Sequence, residues 1–282
     1  MDQSNELSYQ QALQNGVLFL EQHEKSPLAA ERLLLDRLGW TKTDLLMRFA
    51  DPITDQEYKQ YFSDIKEYVS GKPIQYIVGV EWFYGYPLKV TEATLIPRPE
   101  TEELVQRALK CLEGKGPQKV LDIGTGSGAI AIAMKKQRPQ DEVTATDLSQ
   151  EALVVAEENA DQLDAQIRFL QGDLLEPVQL ETFDCILSNP PYISEDEISL
   201  MDSSVLEYEP HSALFADHDG LDLYQKMAFT LPFHLKTDGC LFMEIGFNQG
   251  EKLLELYKKA FPDKTVTIEK DLSGLDRMLI VK

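Results

Sequence analysis

The stretch that most narrows what this chain can become is Val120-Leu121-Asp122-Ile123-Gly124-Thr125-Gly126-Ser127-Gly128. A short apolar run ends in alternating glycines, and residues 129–136 continue with helical composition. A buried strand turning straight into a helix is the first half of a βαβ unit. The rest of the chain repeats that alternation. Residues 142–146 read as the next strand, with a helix running on to 160, and 167–171 and 183–188 read as two more strands. A helix over 221–235, a strand over 240–245 and a helix over 249–261 follow, and the chain closes on strand-like 265–270 and 277–281. The expected fold class is α/β, a doubly wound, mostly parallel, seven-stranded Rossmann-like sheet with helices on both faces. The last two stretches have no helix between them and predict an antiparallel hairpin at one edge.

Upstream the period changes. Ser26-Pro27 offers an N-cap side chain and a proline at the first helical position; Leu28, Leu33, Leu34, Leu35 and Leu38 follow, and Gly39 can end the helix. Thr54 and Glu57 make a capping box, after which Tyr58, Tyr61, Phe62, Ile65, Tyr68 and Val69 recur at helical spacing as far as Gly71. With helices over 9–23 and 43–49 this predicts a small bundle over 1–72, its aromatic stripe serving as core. Ile74-Gln75-Tyr76-Ile77-Val78 and Glu81-Trp82-Phe83-Tyr84 are β-prone and punctuated by Gly79 and Gly85, which predicts a β-hairpin segment over 73–97. The α/β domain then occupies 98–282.

The 282 residues carry 27 Lys+Arg against 48 Asp+Glu, a formal charge of -21. Residues 1–90 hold 9 basic and 13 acidic residues, and residues 91–282 hold 18 and 35, so the halves carry -4 and -17. That balance opposes a broad duplex-DNA footprint, which needs basic surface to displace counterions. No apolar run approaches the roughly 18 to 20 residues needed to span a bilayer, and the start, MDQSNELSYQQ, has no signal-peptide pattern. Cys111, Cys185 and Cys240 lie far apart. They predict a reduced, cytoplasmic protein without a disulfide framework or zinc finger. No His/Cys/Asp cluster has metal-ligand spacing, so no metal is expected.

The glycine loop bares backbone N–H groups at a helix start. Its spacing, Asp-x-Gly-x-Gly-x-Gly, departs from the dinucleotide fingerprint G-x-G-x-x-G. Asp122 at the strand end is awkward beside a pyrophosphate and useful beside a cation. S-adenosylmethionine carries an ammonium and a sulfonium, and no phosphate. Asp147 ends the next strand, 19 residues past Gly128, where a carboxylate can accept two ribose hydroxyls. In Gln171-Gly172-Asp173-Leu174, Asp173 can accept an adenine amino group, with Leu174 against the ring. After the fourth strand comes Ser188-Asn189-Pro190-Pro191-Tyr192. The two prolines fix the backbone and remove its donors. The Asn189 oxygen and a proline carbonyl can together bind both hydrogens of a planar –NH2, with Tyr192 covering its face. An amide nitrogen is a poor nucleophile, so aligning it for in-line attack is the main catalytic task.

The Asp-x-Gly-x-Gly-x-Gly loop with a downstream Asn-Pro-Pro-Tyr resembles amino-methyltransferases acting on planar nitrogen. Further stretches resemble the glutamine-amide methyltransferases of peptide chain release factors. They are Pro73 to Gly79 with Phe83-Tyr84-Gly85, Leu95-Ile96-Pro97-Arg98-Pro99-Glu100-Thr101-Glu102, Tyr208-Glu209-Pro210 with Gly220-Leu221-Asp222, and Met243-Glu244-Ile245-Gly246. The resemblance covers nearly the whole chain and is weakest over 1–70. It implies methyl transfer from S-adenosylmethionine to the glutamine side-chain amide in a release factor's Gly-Gly-Gln loop, with the helical domain docking the release factor. Asn189, Pro190, Pro191 and Tyr192 would form the catalytic and substrate site. Asp122, Gly124, Thr125, Gly126, Ser127, Gly128, Asp147, Asp173, Leu174 and Asn189 would hold the cofactor. Arg98 and Glu100 read as a salt-bridged turn or as shapers of the cofactor pocket, and Glu244 as structural. His211 and His218 read as surface loop, which leaves no general base. The expected partner is the release factor as substrate, with no stable nucleic acid, no membrane and a monomeric enzyme. The rival readings are a nucleic-acid amino-methyltransferase, which shares the chemistry but needs a positive groove, and a cofactor-binding scaffold, which does not need Asn-Pro-Pro-Tyr.

Overall fold

The computed structural model describes residues 7–282. They fall into two units, one up to Gly79 together with Ser203–Tyr208, the other Val80–Asp202 with Glu209–Lys282. The first unit is helical: α1 (Tyr9–Gln22), α2 (Leu28–Leu38), α3 (Lys42–Met47), α4 (Asp55–Val69) and α5 (Ile74–Val78). The Thr54–Glu57 capping box forms, and Ser8–Gln11 and Thr41–Asp44 make two more. At α2 the expected Ser26 cap does not form. Pro27 itself is the N-cap, without a side-chain bond, and Ser26 accepts the Ala29 N–H through its carbonyl. Leu20, Leu33, Leu34, Leu45, Tyr61 and Ile65 are buried together, and the Tyr61 hydroxyl donates to the Ala30 carbonyl at 3.2 Å.

Residues 74–78, expected as a strand, are helix α5. Their β propensity loses to a tertiary hydrogen bond: Arg37 Nη2 donates to the Ile77 carbonyl at 2.8 Å. The same guanidinium grips the buried Asp64, Nε to Oδ2 at 2.7 Å and Nη2 to Oδ1 at 2.9 Å. One charge-assisted pair thereby ties α2, α4 and α5. The hairpin is made instead by β1 (Val80–Phe83) and β2 (Tyr86–Lys89). Tyr84 and Gly85 join them, both at positive φ (51° and 80°), as a two-residue turn of this hand requires.

The second unit continues with α6 (Pro99–Cys111), a helix absent from the sequence expectation, then β3 (Lys119–Ile123), α7 (Ala129–Gln137), β4 (Glu142–Asp147), α8 (Gln150–Gln162), β5 (Ile167–Gln171) and β6 (Phe183–Ser188). Next come α9 (Ser203–Tyr208, which clusters with the first unit), the one-turn α10 (His211–Leu214) and α11 (Asp217–Gly220), and α12 (Asp222–His234). The chain ends with β7 (Leu235–Glu244), α13 (Gly250–Ala260), β8 (Val266–Lys270) and β9 (Asp276–Val281). The seven-stranded sheet has the order β5-β4-β3-β6-β7-β9-β8. Strands β3 to β7 pair in parallel, and β9 runs antiparallel to both β7 and β8, which is the expected edge hairpin. Strand β7 begins earlier than expected, and its pairing with β6 slips register between Phe183 and Cys185.

Strand parity assigns the core. Val120, Cys185, Leu187 and Phe242 join one buried cluster with α6 and α7, while Leu121, Ile123, Ile186 and Met243 join the other with α12 and α13. Both faces are covered, so the central strands β3 and β6 are buried along most of their length. Strand order runs outward from β3 through β4 to β5, then restarts at β6 on the other side of β3. A crevice opens where the direction reverses, beyond the carboxyl ends of these strands.

Candidate active site

That crevice is a cavity of about 420 Å³, and every residue lining it belongs to the second unit. The glycine loop forms one wall, with Gly124, Thr125, Gly126 and Ser127 all lining it. Two carboxylates hold the loop from different sides. Asp147 Oδ2 accepts the Gly126 N–H at 2.8 Å and its Oδ1 accepts the Ser149 N–H at 2.9 Å. Burial raises the Asp147 pKa, and these backbone donors work against the rise. Asp147 also lines the cavity, as do Asp173 and Leu174. Leu174 takes a positive φ of 48°, and Thr146 Oγ1 donates to its carbonyl at 3.0 Å.

Asp122 lies elsewhere. It shares the parity of Val120, so its side chain falls beneath the loop and is absent from the cavity wall. Its Oδ2 accepts from Thr125 Oγ1 at 2.6 Å and from the Ala131 N–H at 3.2 Å, while its buried Oδ1 has no hydrogen-bond partner. Burial pushes its pKa up to about 7 against those two donors, with the nearby Asp147 adding to the rise. Gly128 is also off the wall: a Cβ there would come within 3.2 Å of Ala156 Cβ, so it serves the approach of α7 to α8.

Asn189, Pro190 and Pro191 also line the cavity, but Tyr192 does not. Tyr192 packs against the core cluster of α12 and α13, and its hydroxyl donates to Glu244 Oε1 at 3.2 Å. Asn189 Nδ2 donates to Thr101 Oγ1 at 3.1 Å, and Thr101 donates to Glu244 Oε2 at 2.6 Å. Gln249 Nε2 donates to the Tyr192 carbonyl at 2.9 Å, and Gly220 leaves room for that carbonyl, which would stand 2.0 Å from a Cβ. The expected Arg98–Glu100 turn is not what forms. Arg98 Nη2 reaches the buried Glu209 at 2.6 Å, whose other oxygen accepts the Ile96 N–H at 3.2 Å. His211 and His218 are exposed and off the cavity wall.

Residues 11–79 match the family described as PrmC N-terminal domain, and residues 104–206 match Methyltransferase small domain. A protein of Enterococcus faecalis described as "Release factor glutamine methyltransferase" is 48% identical over 94% of this chain and 95% of its own length. The Staphylococcus aureus protein of the same description is 38% identical over 98% and 99%. This chain belongs to the release factor glutamine methyltransferase family. It is therefore an S-adenosylmethionine-dependent methyltransferase. Solved structures share the fold at low identity. A methyltransferase from Pyrococcus furiosus has a TM-score of 0.50 at 21% identity, covering 70% of this chain and 88% of that one. A Thermus thermophilus 16S rRNA methyltransferase in complex with AdoMet and guanosine has a TM-score of 0.51 at 16%, covering 72% and 49%.

The cavity fits the cofactor of a release factor glutamine methyltransferase. Gly126 holds φ at 56° with nothing within 4 Å of where a Cβ would stand, so its backbone is bared to the cavity. Asp147 and Asp173 supply carboxylates for hydroxyl, amino and cationic groups, and Ile130, Leu148 and Leu174 supply apolar surface. Among the described residues the wall carries one cationic side chain, Arg98, and Glu209 already holds it. Such a wall suits a cationic nucleoside without phosphate. The sequence names Thr101 and Glu209 only as parts of resembling stretches, without a role, and does not single out Gln249. Their partners lie 88, 111 and 57 positions away along the chain, beyond the reach of any local pattern.

Proposed function

We infer that the enzyme methylates the side-chain amide nitrogen of the glutamine in the Gly-Gly-Gln loop of peptide chain release factors, and so modulates translation termination. The observation that supports the reading is one cavity, at the strand-order reversal, lined both by the glycine loop and by Asn189-Pro190-Pro191. S-adenosylmethionine supplies an electrophilic methyl group on its sulfonium. Gly124, Thr125, Gly126, Ser127, Asp147, Asp173 and Leu174 hold it, and Asp122 and Gly128 shape the loop from beneath and behind. The Asn189 oxygen and the Pro190 carbonyl accept the two amide hydrogens of the glutamine, which orients its nitrogen toward the methyl group. Pro191 keeps that wall rigid and Tyr192 anchors it. The amide nitrogen gains the methyl as the methyl–sulfur bond breaks with its electron pair kept by sulfur. S-adenosylhomocysteine is the neutral thioether left behind, and the nitrogen loses one proton to water. No side chain in the wall is needed as a base, because the proton becomes acidic only as the new bond forms. No metal enters this chemistry.

The helical unit docks the release factor, and the enzyme works as a monomer in a reducing, cytoplasmic compartment, with Cys185 and Cys240 as buried thiols. The charge of -17 over residues 91–282 supports a protein substrate with a basic loop over a nucleic acid. The test is to incubate the enzyme with labelled S-adenosylmethionine, release factor, duplex DNA and ribosomes. Label is expected on the Gly-Gly-Gln glutamine; label on DNA with none on release factor overturns the reading.

A further inference from the structure

The Asn-Pro-Pro wall contains a hydrogen-bonded line that runs through three elements. It starts at Asn189 after β6, passes through Thr101 in the first turn of α6, and ends on Glu244 at the end of β7, where Tyr192 also arrives. Thr101 and Glu244 are 4% and 2% exposed, so solvent does not compete for these bonds. A hydroxyl carries a single proton. Thr101 gives its proton to Glu244 at 2.6 Å and can offer Asn189 only a lone pair. Asn189 must then present its –NH2 to Thr101. Its oxygen takes no hydrogen bond from the described residues and is left for a ligand.

We propose that Thr101 and Glu244 are positioning residues that set the polarity of the Asn189 carboxamide, so that its oxygen rather than its nitrogen meets the substrate amide. This rests on the methyl transfer to a glutamine amide inferred above. An amide is nearly symmetric in shape, and packing alone discriminates poorly between its two ends. The carboxylate supplies the direction. Were Glu244 protonated, it would donate to Thr101 Oγ1 and free the threonine proton for Asn189 Oδ1. The carboxamide would then turn its –NH2 toward the substrate –NH2, donor against donor.

The groups facing Glu244 come from four further segments. Thr101 and Glu100 lie on α6, Tyr192 follows β6, Arg277 is on β9, and Tyr224 of α12 donates to the Glu244 main-chain carbonyl at 2.6 Å. Burial, with Glu100 adding to it, raises the Glu244 pKa, while the Thr101 bond, Arg277 and the Tyr192 bond hold it down. The direction is upward. Turnover that needs the carboxylate is therefore present above that pKa and lost as pH falls through it, at a higher pH than an ordinary glutamate would give.

The experiment compares wild type, Thr101→Val, Thr101→Ser and Glu244→Gln at saturating S-adenosylmethionine, measuring kcat and KM for release factor, cofactor Kd, and kcat against pH. Wild-type turnover on release factor tests the substrate reading; the ratio of each variant to wild type tests the relay. Thr101→Val is expected to lower kcat on the order of 10²-fold, the scale of a misaligned reacting group, with cofactor Kd within about 3-fold. Thr101→Ser keeps the hydroxyl and restores kcat to within about 5-fold of wild type. The acid limb of kcat disappears in Thr101→Val, where the line is cut, and in Glu244→Gln, which has no carboxyl to titrate. Three results overturn the proposal: Thr101→Ser as slow as Thr101→Val, cofactor affinity falling in step with kcat, or an acid limb that persists in both variants.

Discussion

The two walls of the cavity are built on opposite principles. The glycine loop after β3 bares main-chain groups to the cavity, and carboxylates fix it: Asp147 grips the Gly126 N–H and Asp122 ties Thr125 and Ala131 from below. The Asn-Pro-Pro-Tyr stretch after β6 has no N–H to give at either proline, and neighbours hold it from outside: Thr101 on the Asn189 side chain, Gln249 on the Tyr192 carbonyl and Glu244 on the Tyr192 hydroxyl. One wall works through its backbone, the other through an aimed side chain. Substitutions should therefore separate affinity for the cofactor from the rate of the chemical step.

The largest expected effect is at the second wall. Asn189→Ala removes the acceptor itself and should lower kcat by about 10³-fold, the upper range for losing one aligned hydrogen-bonding group, while titration calorimetry finds cofactor Kd within a few-fold. If both constants collapse together, the walls are not separable. The mirror experiment is smaller. Gly126→Ala forces a side chain into φ 56° and covers the bared backbone. It should weaken cofactor binding about 10-fold, consistent with strain of about 1–2 kcal/mol, with kcat at saturation nearly kept. A Gly126→Ala enzyme that bound the cofactor normally but turned over slowly would reverse the comparison.

The smallest effect concerns stability. The Asp122 carboxyl has its pKa raised to about 7 from an ordinary 3.8. Between those values the folded chain holds a proton that the unfolded chain has lost, so this residue's contribution to stability falls as pH rises from about 4 to about 7 and is level above. Asp122→Asn keeps an acceptor for Thr125 and Ala131 and removes the titration. Its thermal midpoint should exceed that of wild type by several degrees, up to about 10 °C, at pH 8 and match it near pH 4. An advantage that did not change with pH would mean that the carboxylate is not the buried cost it is taken to be.

Much of this was legible in the sequence. Strands 167–171 and 183–188 form as read: the second is a central strand whose Cys185-Ile186-Leu187 run is buried, and the first is the sheet's edge strand, where Ile167, Phe169 and Leu170 alone carry the apolar signal. Asp173, Leu174, Asn189, Pro190 and Pro191, which follow those strand ends, line the cavity. Three features were not legible, for separate reasons. Residues 74–78 have strand-forming side chains, yet they form a helix that Gly79 caps, that buries Tyr76 and Ile77 and whose Ile77 carbonyl the distant Arg37 holds. Asp122 occupies a ligand's place in the motif, but it shares the parity of Val120 along β3, which puts its carboxylate beneath the loop on Thr125 and Ala131. Thr101 lies in a helix that the sequence did not announce, and nothing near it points to Asn189. What the sequence hides is the set of residues that hold the chemically informative ones in place.

One side chain links parts that look independent. Asn159 on α8 accepts the Lys89 N–H of the hairpin at 2.6 Å, and its Nδ2 donates to the Lys89 carbonyl and to the Ser127 carbonyl, both at 2.9 Å. The hairpin and the cofactor loop therefore share a single anchor. For anyone assembling chimaeras, the hairpin is not an exchangeable cassette: a graft that shifts Lys89 must either carry its own α8 or retune the glycine loop at Ser127.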